Sequence, residues 1–232
     1  MDNGYELHLK ILECDGMKFL DRMKLHSFSH NIFSMNYHEI QEGLKLVENP
    51  EIGSKFFIEE LRGAGVQAFR EINRLFHNFL ASAKTLIEHT RIFMNKYYSK
   101  SSVLQAYEQK VKNECANDEL CKFIQDLRNY MLHQGLPHTE MELSMKRDGP
   151  LESAINLDSV KLREWSNWSS KSKAYLSKAP NKISMSSLVD EYEEKIGGLH
   201  SWLDRELRIY HKSDIKELEV MNKEYHAKYG AA

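Results

Sequence analysis

The sequence predicts a mainly α protein, an antiparallel helical bundle with two long core helices and a small β-hairpin appendage. Three observations carry this. The first is a seven-residue apolar repeat sustained over four heptads. The second is scarcity of turn material: 4 Pro and 11 Gly in 232 residues leave little for a sandwich or barrel of many short strands. The third is an ordinary globular balance, 41% hydrophobic and 28% charged, which excludes a disordered chain. Pro50, Pro137, Pro150 and Pro180 punctuate the chain between patterned segments. No internal repeat divides it, so residues 1–232 read as one domain, with no solenoid.

The elements follow in order. Tyr5, Leu7, Leu9 and Ile11 alternate with Glu6, His8 and Lys10, the period of a strand, and Asp15-Gly16 then offers a turn. Residues 36–49 read as a short helix that stops before Pro50. The heptad segment comes next. Phe69, Phe76, Ala83, Thr90 and Tyr97 are spaced by seven, and Ile72, Phe79, Leu86 and Phe93 form a second series offset by three. Together they make a 3-4 stripe, with Arg70, Glu71, Arg74, Lys84, Glu88, Arg91 and Lys96 on the other faces. One helix over about 66–98 would be roughly 50 Å long and needs a long partner. Residues 102–134 supply the expected one, carrying Val103, Leu104, Tyr107, Val111, Leu120, Ile124, Leu127 and Met131. Asn117 or Asp118 is placed to kink or recap it. Gly135 is placed as its C-cap, and Pro137 prevents continuation.

After Pro137, Met141, Leu143 and Met145 alternate with polar residues, Asp148-Gly149-Pro150 makes a turn, and Leu151, Ser153, Ile155 and Leu157 alternate again. This predicts a hairpin over 139–157. The C-terminal part, 158–229, is helical, with Leu188, Tyr192, Ile196, Leu199, Leu203 and Tyr210 as its stripe and Gly197-Gly198 as a weak point.

Composition also bounds function. With 32 Lys+Arg against 34 Asp+Glu the net charge is −2, so the whole-molecule field does not select nucleic acid. No run of 18 apolar residues exists, which excludes a membrane-spanning helix, and the N-terminus lacks the basic and apolar regions of a secretory signal. Cys14, Cys115 and Cys121, odd in number and irregular in spacing, read as reduced thiols of a cytoplasmic protein. Phosphate-loop, dinucleotide, zincin and CxxC motifs are absent, so the expectation is no cofactor and no metal. His26 and His30 have i,i+4 spacing, but Ser27, Phe28 and Ser29 do not read as a helix.

The polar side of the 120–134 helix is more informative. Lys122, Asp126, Asn129 and His133 are spaced +4, +3, +4 and share a face. Arg128 precedes Asn129, and His133 falls in the last turn, where the helix dipole favours an imidazolium. Arg128 and His133 lie about 140° apart on an ideal helix, so a straight helix does not join them. Asn129 and His133 are neighbours across one turn.

Arg128-Asn129, then three residues, then His133, late in the second of two long helices and just before a helix break, resembles the signature of the HEPN (higher eukaryotes and prokaryotes nucleotide-binding) superfamily. The resemblance covers roughly 53–135, the two-helix core. It implies RNA binding and metal-independent RNA cleavage, as in a toxin or defence-type effector, with a homodimer bringing two motifs together and a cognate antitoxin as a partner. It also implies roles: His133 as general acid or base, Arg128 holding phosphate oxygens, Asn129 orienting His133 or binding phosphate. Other members are non-catalytic, so a helical dimerisation or interaction module with a structural Arg128 and His133 is the alternative.

One charge run adds to this. From 161 to 182, Lys161, Arg163, Lys171, Lys173, Lys178 and Lys182 face one acid, Glu164, with Trp165, Trp168 and Tyr175 interleaved. Such a stretch suits single-stranded RNA, with Lys122, Lys171, Lys173 and Lys178 as candidate contacts. Trp is highly buried on average, which favours packing for the aromatics.

Overall fold

The apolar stripe of residues 69–97 dictates the centre of the molecule. In the computed structural model, which describes residues 3–145 and 149–230, it lies on one helix of 37 residues, Arg62–Tyr98. Seven of the nine stripe residues are buried, and Phe69 and Tyr97 at its ends are half-buried. In chain order the elements are α1 (Asn3–Glu13), α2 (Asp15–Glu48), α3 (Pro50–Gly53), α4 (Arg62–Tyr98), α5 (Ser102–Val111) and α6 (Glu119–His133). Strands β1 (Thr139–Met145) and β2 (Leu151–Asp158) follow, then α7 (Ser159–Arg163), α8 (Ser170–Lys178), β3 (Lys182–Ser184), α9 (Met185–Tyr210) and α10 (Lys212–Tyr229). The fold is mainly α with a small antiparallel sheet, as the sequence predicts.

The partner of α4 differs from the expected one. Helix α2, 34 residues long, packs most extensively along α4, while α5 and α6 cover less of it. The expected helix over 36–49 is only the end of α2. Asn49 closes it and restarts the chain as α3, its side-chain oxygen accepting from the amides of Glu51 and Ile52 at 2.9 and 3.3 Å. Residues 5–11 are helical, not a strand. Of their four alternating apolar residues only Ile11 is buried, so no half-buried sheet existed for the alternation to serve. Asp15-Gly16 is no turn either: Cys14 caps α2, and Gly16 is needed because a Cβ there would lie 2.3 Å from the Asp214 carbonyl of α10.

Elsewhere the expected boundaries hold. A π-helical segment, Lys112–Ala116, ends α5, and the Asp118 carboxylate caps α6 through the Cys121 amide at 2.8 Å. Gly135 follows the α6 C-cap residue Gln134 with φ +111°, a conformation that favours glycine. The hairpin pairs Met141 with Ile155 and Leu143 with Ser153, and β3, which the sequence did not reveal, extends it to the order β1-β2-β3. Of the expected 148–150 turn, Asp148 lies outside the described residues. Helix α9 runs through Gly197-Gly198 unbroken, and its stripe is buried except Tyr210.

Two clusters form the core. The larger joins α2, α4, α6, the sheet, α8 and α9. The smaller joins Phe19 of α2, Phe93, Met94 and Tyr98 of α4, α5, and Leu203 and Leu207 of α9.

Candidate functional site

Helix α6 places the motif residues at one end of the bundle. Its buried side is Leu120, Cys121, Phe123, Ile124 and Leu127. That leaves Arg128 half-buried and Asn129 and His133 exposed. Among the described residues no hydrogen bond or ion pair engages any of these three side chains. The helix stays regular to His133, with the Gln134 amide bonded to the Tyr130 carbonyl at 2.8 Å. Asn129 and His133 therefore share a face, whereas Arg128 and His133 stay about 140° apart. One chain does not bring all three together.

Two clefts flank this end. One, of about 340 Å³, is lined by Tyr130, Gln134, Lys161, Glu164, Trp165 and Asn167 among others. Its floor is aromatic. Tyr130 stacks on Trp168 at 5.7 Å, and Trp165 meets both rings edge-on. Trp168 is buried and donates from Nε1 to the Leu162 carbonyl at 2.6 Å, so it is a packing residue. The other cleft, of about 350 Å³, is lined by Phe69, Arg70, Asn73, Arg74 and His77 of α4 with Leu136, three residues past His133. The sequence carries a signal for it, Arg70, Arg74 and His77 at i, i+4 and i+7. In sequence, Arg70 and Arg74 are indistinguishable from the other charges on the outer faces of a packing helix.

The 161–182 cations are mostly engaged within the fold. Lys178 pairs with Glu119 of α6 at 2.7 Å, and Lys171 donates to the Asn117 carbonyl at 2.8 Å. Arg163 donates to the Leu176 and Ala179 carbonyls, and Lys182 pairs with Glu142. Lys122 pairs with Asp126 at 3.3 Å. Asp126 is itself buried and accepts from the Ser169 amide at 3.1 Å and the Ser172 hydroxyl at 2.7 Å. Burial alone would raise its carboxyl. The bonds from Ser169 and Ser172, helped by the Lys122 ammonium, hold it below the usual carboxylate range. Asp126 thus pins the N-terminus of α8 onto α6. Of the four lysines proposed as RNA contacts, Lys173 alone is exposed without an ion pair among the described residues.

A second cluster of titratable groups lies at α2, α4 and α9. His26 and His30 do sit one turn apart on a helix, and His200 faces both, with ring centroids 5.8 and 5.4 Å away. His26 Nε2 is 3.0 Å from the Thr90 hydroxyl, and His89 Nδ1 is 2.6 Å from the Ser29 hydroxyl. Burial, reinforced by His30 and His89, lowers His26 to about 4. Burial, with His26 and His30, lowers His200 to about 3. Both are neutral bases at physiological pH. His26, His30, His200 and Asp204 line a cleft of about 560 Å³.

No protein-family model matches this chain, and comparison with curated proteins and with solved structures gives no match.

Proposed function

We propose that the protein is a HEPN-like RNA-binding protein and a metal-independent endoribonuclease, working as a homodimer in a toxin or defence setting. The observation that carries the reading is the uncommitted state of Arg128, Asn129 and His133 at an exposed helix end, beside a cleft lined by Arg70, Arg74 and His77. Residues needed for packing or capping are engaged, as Asp126 and Asp118 are; these three are not. The effector setting and a cognate antitoxin rest on the resemblance alone.

RNA supplies its own nucleophile, so the protein need only move protons and balance charge. One His133 accepts the 2′-OH proton as the 2′ oxygen bonds to phosphorus. A second imidazolium donates a proton to the 5′ oxygen as the P–O5′ bond breaks. Each chain has one His133, and α6 turns Arg128 away from it, so two copies meeting at this end supply both partners. Arg128 holds the non-bridging oxygens with its planar fork. Leu132 and Leu136, 56% and 60% exposed, give that meeting an apolar contact.

The exposed leucines also suit a non-catalytic interaction module, and one assay separates the two. Purified protein is incubated with mixed RNA in EDTA beside His133→Ala. Cleavage by the wild type, lost in the variant, is the expected result. A wild type that binds or dimerises without cleaving leaves the module. Sedimentation should give a dimer, weakened by Leu132→Glu.

A further inference from the structure

We propose that Cys115 and Cys121 are a reversible redox pair, oxidised to a disulfide by hydrogen peroxide that reaches Cys115 through the cleft between α4, α5, α6 and α9. This does not rest on the ribonuclease reading. Both residues are free thiols, 6% and 0% exposed.

Local structure places the two sulfurs together. Segment 115–121 turns from the π-helical end of α5 into α6. The Asp118 amide donates to the Cys115 carbonyl at 3.2 Å, and the Asp118 carboxylate accepts from the Cys121 amide at 2.8 Å. One residue therefore ties the backbones of both cysteines, and Lys195 holds its carboxylate at 2.9 Å. Each thiol is the other's hydrogen-bond partner. That bond draws the Cys115 thiol below its ordinary value, against burial, and together with burial pushes Cys121 up. Cys115 is thus the readier thiolate, and the thiolate is the nucleophile.

Access distinguishes the two as well. Cys115 lines a cleft of about 220 Å³ whose walls include Ile87, Ile196 and Leu199, whereas Cys121 is fully buried. The wide turn of the π-helical segment keeps Cys115 in line with Tyr107 and Val111, which line the same cleft. Its size readily admits a molecule little larger than water, and its apolar walls favour a neutral one. Lys122, a cation in the lining, is paired with Asp126. The competing target is Cys14, which is half-buried and whose sulfur caps α2 by accepting from the Met17 amide at 3.4 Å.

The oxidation runs in two steps. The Cys115 sulfur attacks one peroxide oxygen. The S–O bond forms as the O–O bond breaks, and the departing hydroxide takes up the proton released by Cys115 and becomes water. The Cys121 sulfur then attacks the Cys115 sulfur. The S–S bond forms as the S–O bond breaks, and the hydroxyl leaves with the Cys121 proton as a second water. The two thiols lose two electrons and the peroxide gains them. Two equivalents of a small thiol reverse the change.

The test uses the full chain, reduced, desalted and treated with graded hydrogen peroxide, then quenched with catalase, denatured, alkylated and mapped by mass. The tryptic peptide 113–122 holds both cysteines. It should lose two hydrogens and escape alkylation at a peroxide level that leaves Cys14 alkylated, and dithiothreitol should restore both thiols. Cys14→Ser should leave this oxidation unchanged. Cys121→Ala should abolish the disulfide and strand Cys115 as a sulfenic acid that dimedone traps. The wild-type map carries the test alone if Cys121→Ala does not fold. Peptide 113–122 remaining doubly alkylated when Cys14 is already oxidised overturns the proposal. So does a disulfide that forms only in urea, or a folded Cys121→Ala protein that gives no dimedone adduct at Cys115.

Discussion

Histidine is used in two opposite ways in this molecule. At the end of α6, His133 is exposed and its neighbours Arg128 and Asn129 have no partner among the described residues. Between α2 and α9, His26 and His200 are withdrawn from water, and burial lowers both far below the ordinary imidazole value. The first environment leaves the ring open to solvent, as the proposed acid–base role requires. The second keeps both rings neutral at physiological pH. Surroundings, rather than residue type, separate the two environments.

The sharpest way to break this contrast is at His133. His133→Ala should lower RNA cleavage by about 10²–10⁴, with stability changed by less than about 0.5 kcal/mol, as expected for an exposed side chain. Arg128→Lys should be nearly as damaging, because an ammonium cannot reproduce the bidentate fork. The double variant should be little worse than the worse single one. Products should end in 2′,3′-cyclic phosphate or its hydrolysed form, and DNA should resist. Equal activity on DNA, or full activity in His133→Ala, removes the exposed half of the comparison.

The buried half is tested by acid. His26 and His200 fall from 6.5 to about 4 and about 3 on folding. On acidification the unfolded chain therefore takes up protons first. Stability is complete above about pH 6.5 and declines as pH falls toward 4, by about 2 kcal/mol or more across the two groups. Urea unfolding at a series of pH values reads this directly. His200→Leu should flatten the slope. A wild-type stability that does not change over that window shows that these rings are not withdrawn from water.

The same contrast explains what the sequence disclosed. The α4 stripe was legible because each of its faces has one partner type, apolar inward and charged outward. Helix α2 was not. Phe19, Phe33 and Ile40 are buried while Leu25, Phe28, Ile32 and Met35 are exposed, so apolar residues surround it and no stripe appears. The α6 motif was legible because Arg128, Asn129 and His133 are local to one helix. The His26–His30–His200 group was not, because its members are up to 174 positions apart in sequence and only tertiary packing joins them. Asp126 marks the boundary between the two cases. Its spacing put it on a polar face, but Ser169 and Ser172 turn it into a buried anchor. Asp126→Asn should cost about 1–3 kcal/mol, the penalty for unmatched buried polar groups. A thermal or urea melt checks it, and an Asp126→Asn protein as stable as wild type would return that carboxylate to the solvated face.

The smallest expected effect divides the α8 lysines. Lys178 and Lys171 are engaged by Glu119 and the Asn117 carbonyl, whereas Lys173 is exposed without an ion pair among the described residues. If RNA follows this helix, each lysine–phosphate contact contributes about 0.7 to the slope of log affinity against log salt for a single strand. Lys173→Gln should remove about that much without altering stability. Lys178→Gln should instead cost at most about 1 kcal/mol of stability, the range of an exposed ion pair, and move the slope less. Filter binding at several salt concentrations, beside a melt of each variant, separates the two. Equal slopes for wild type and Lys173→Gln would mean that α8 serves only to brace α6. RNA contact would then be left to the α4 cleft, where Arg70 stands beside Arg74, itself paired with Glu71, and which Leu136, three residues past His133, also lines.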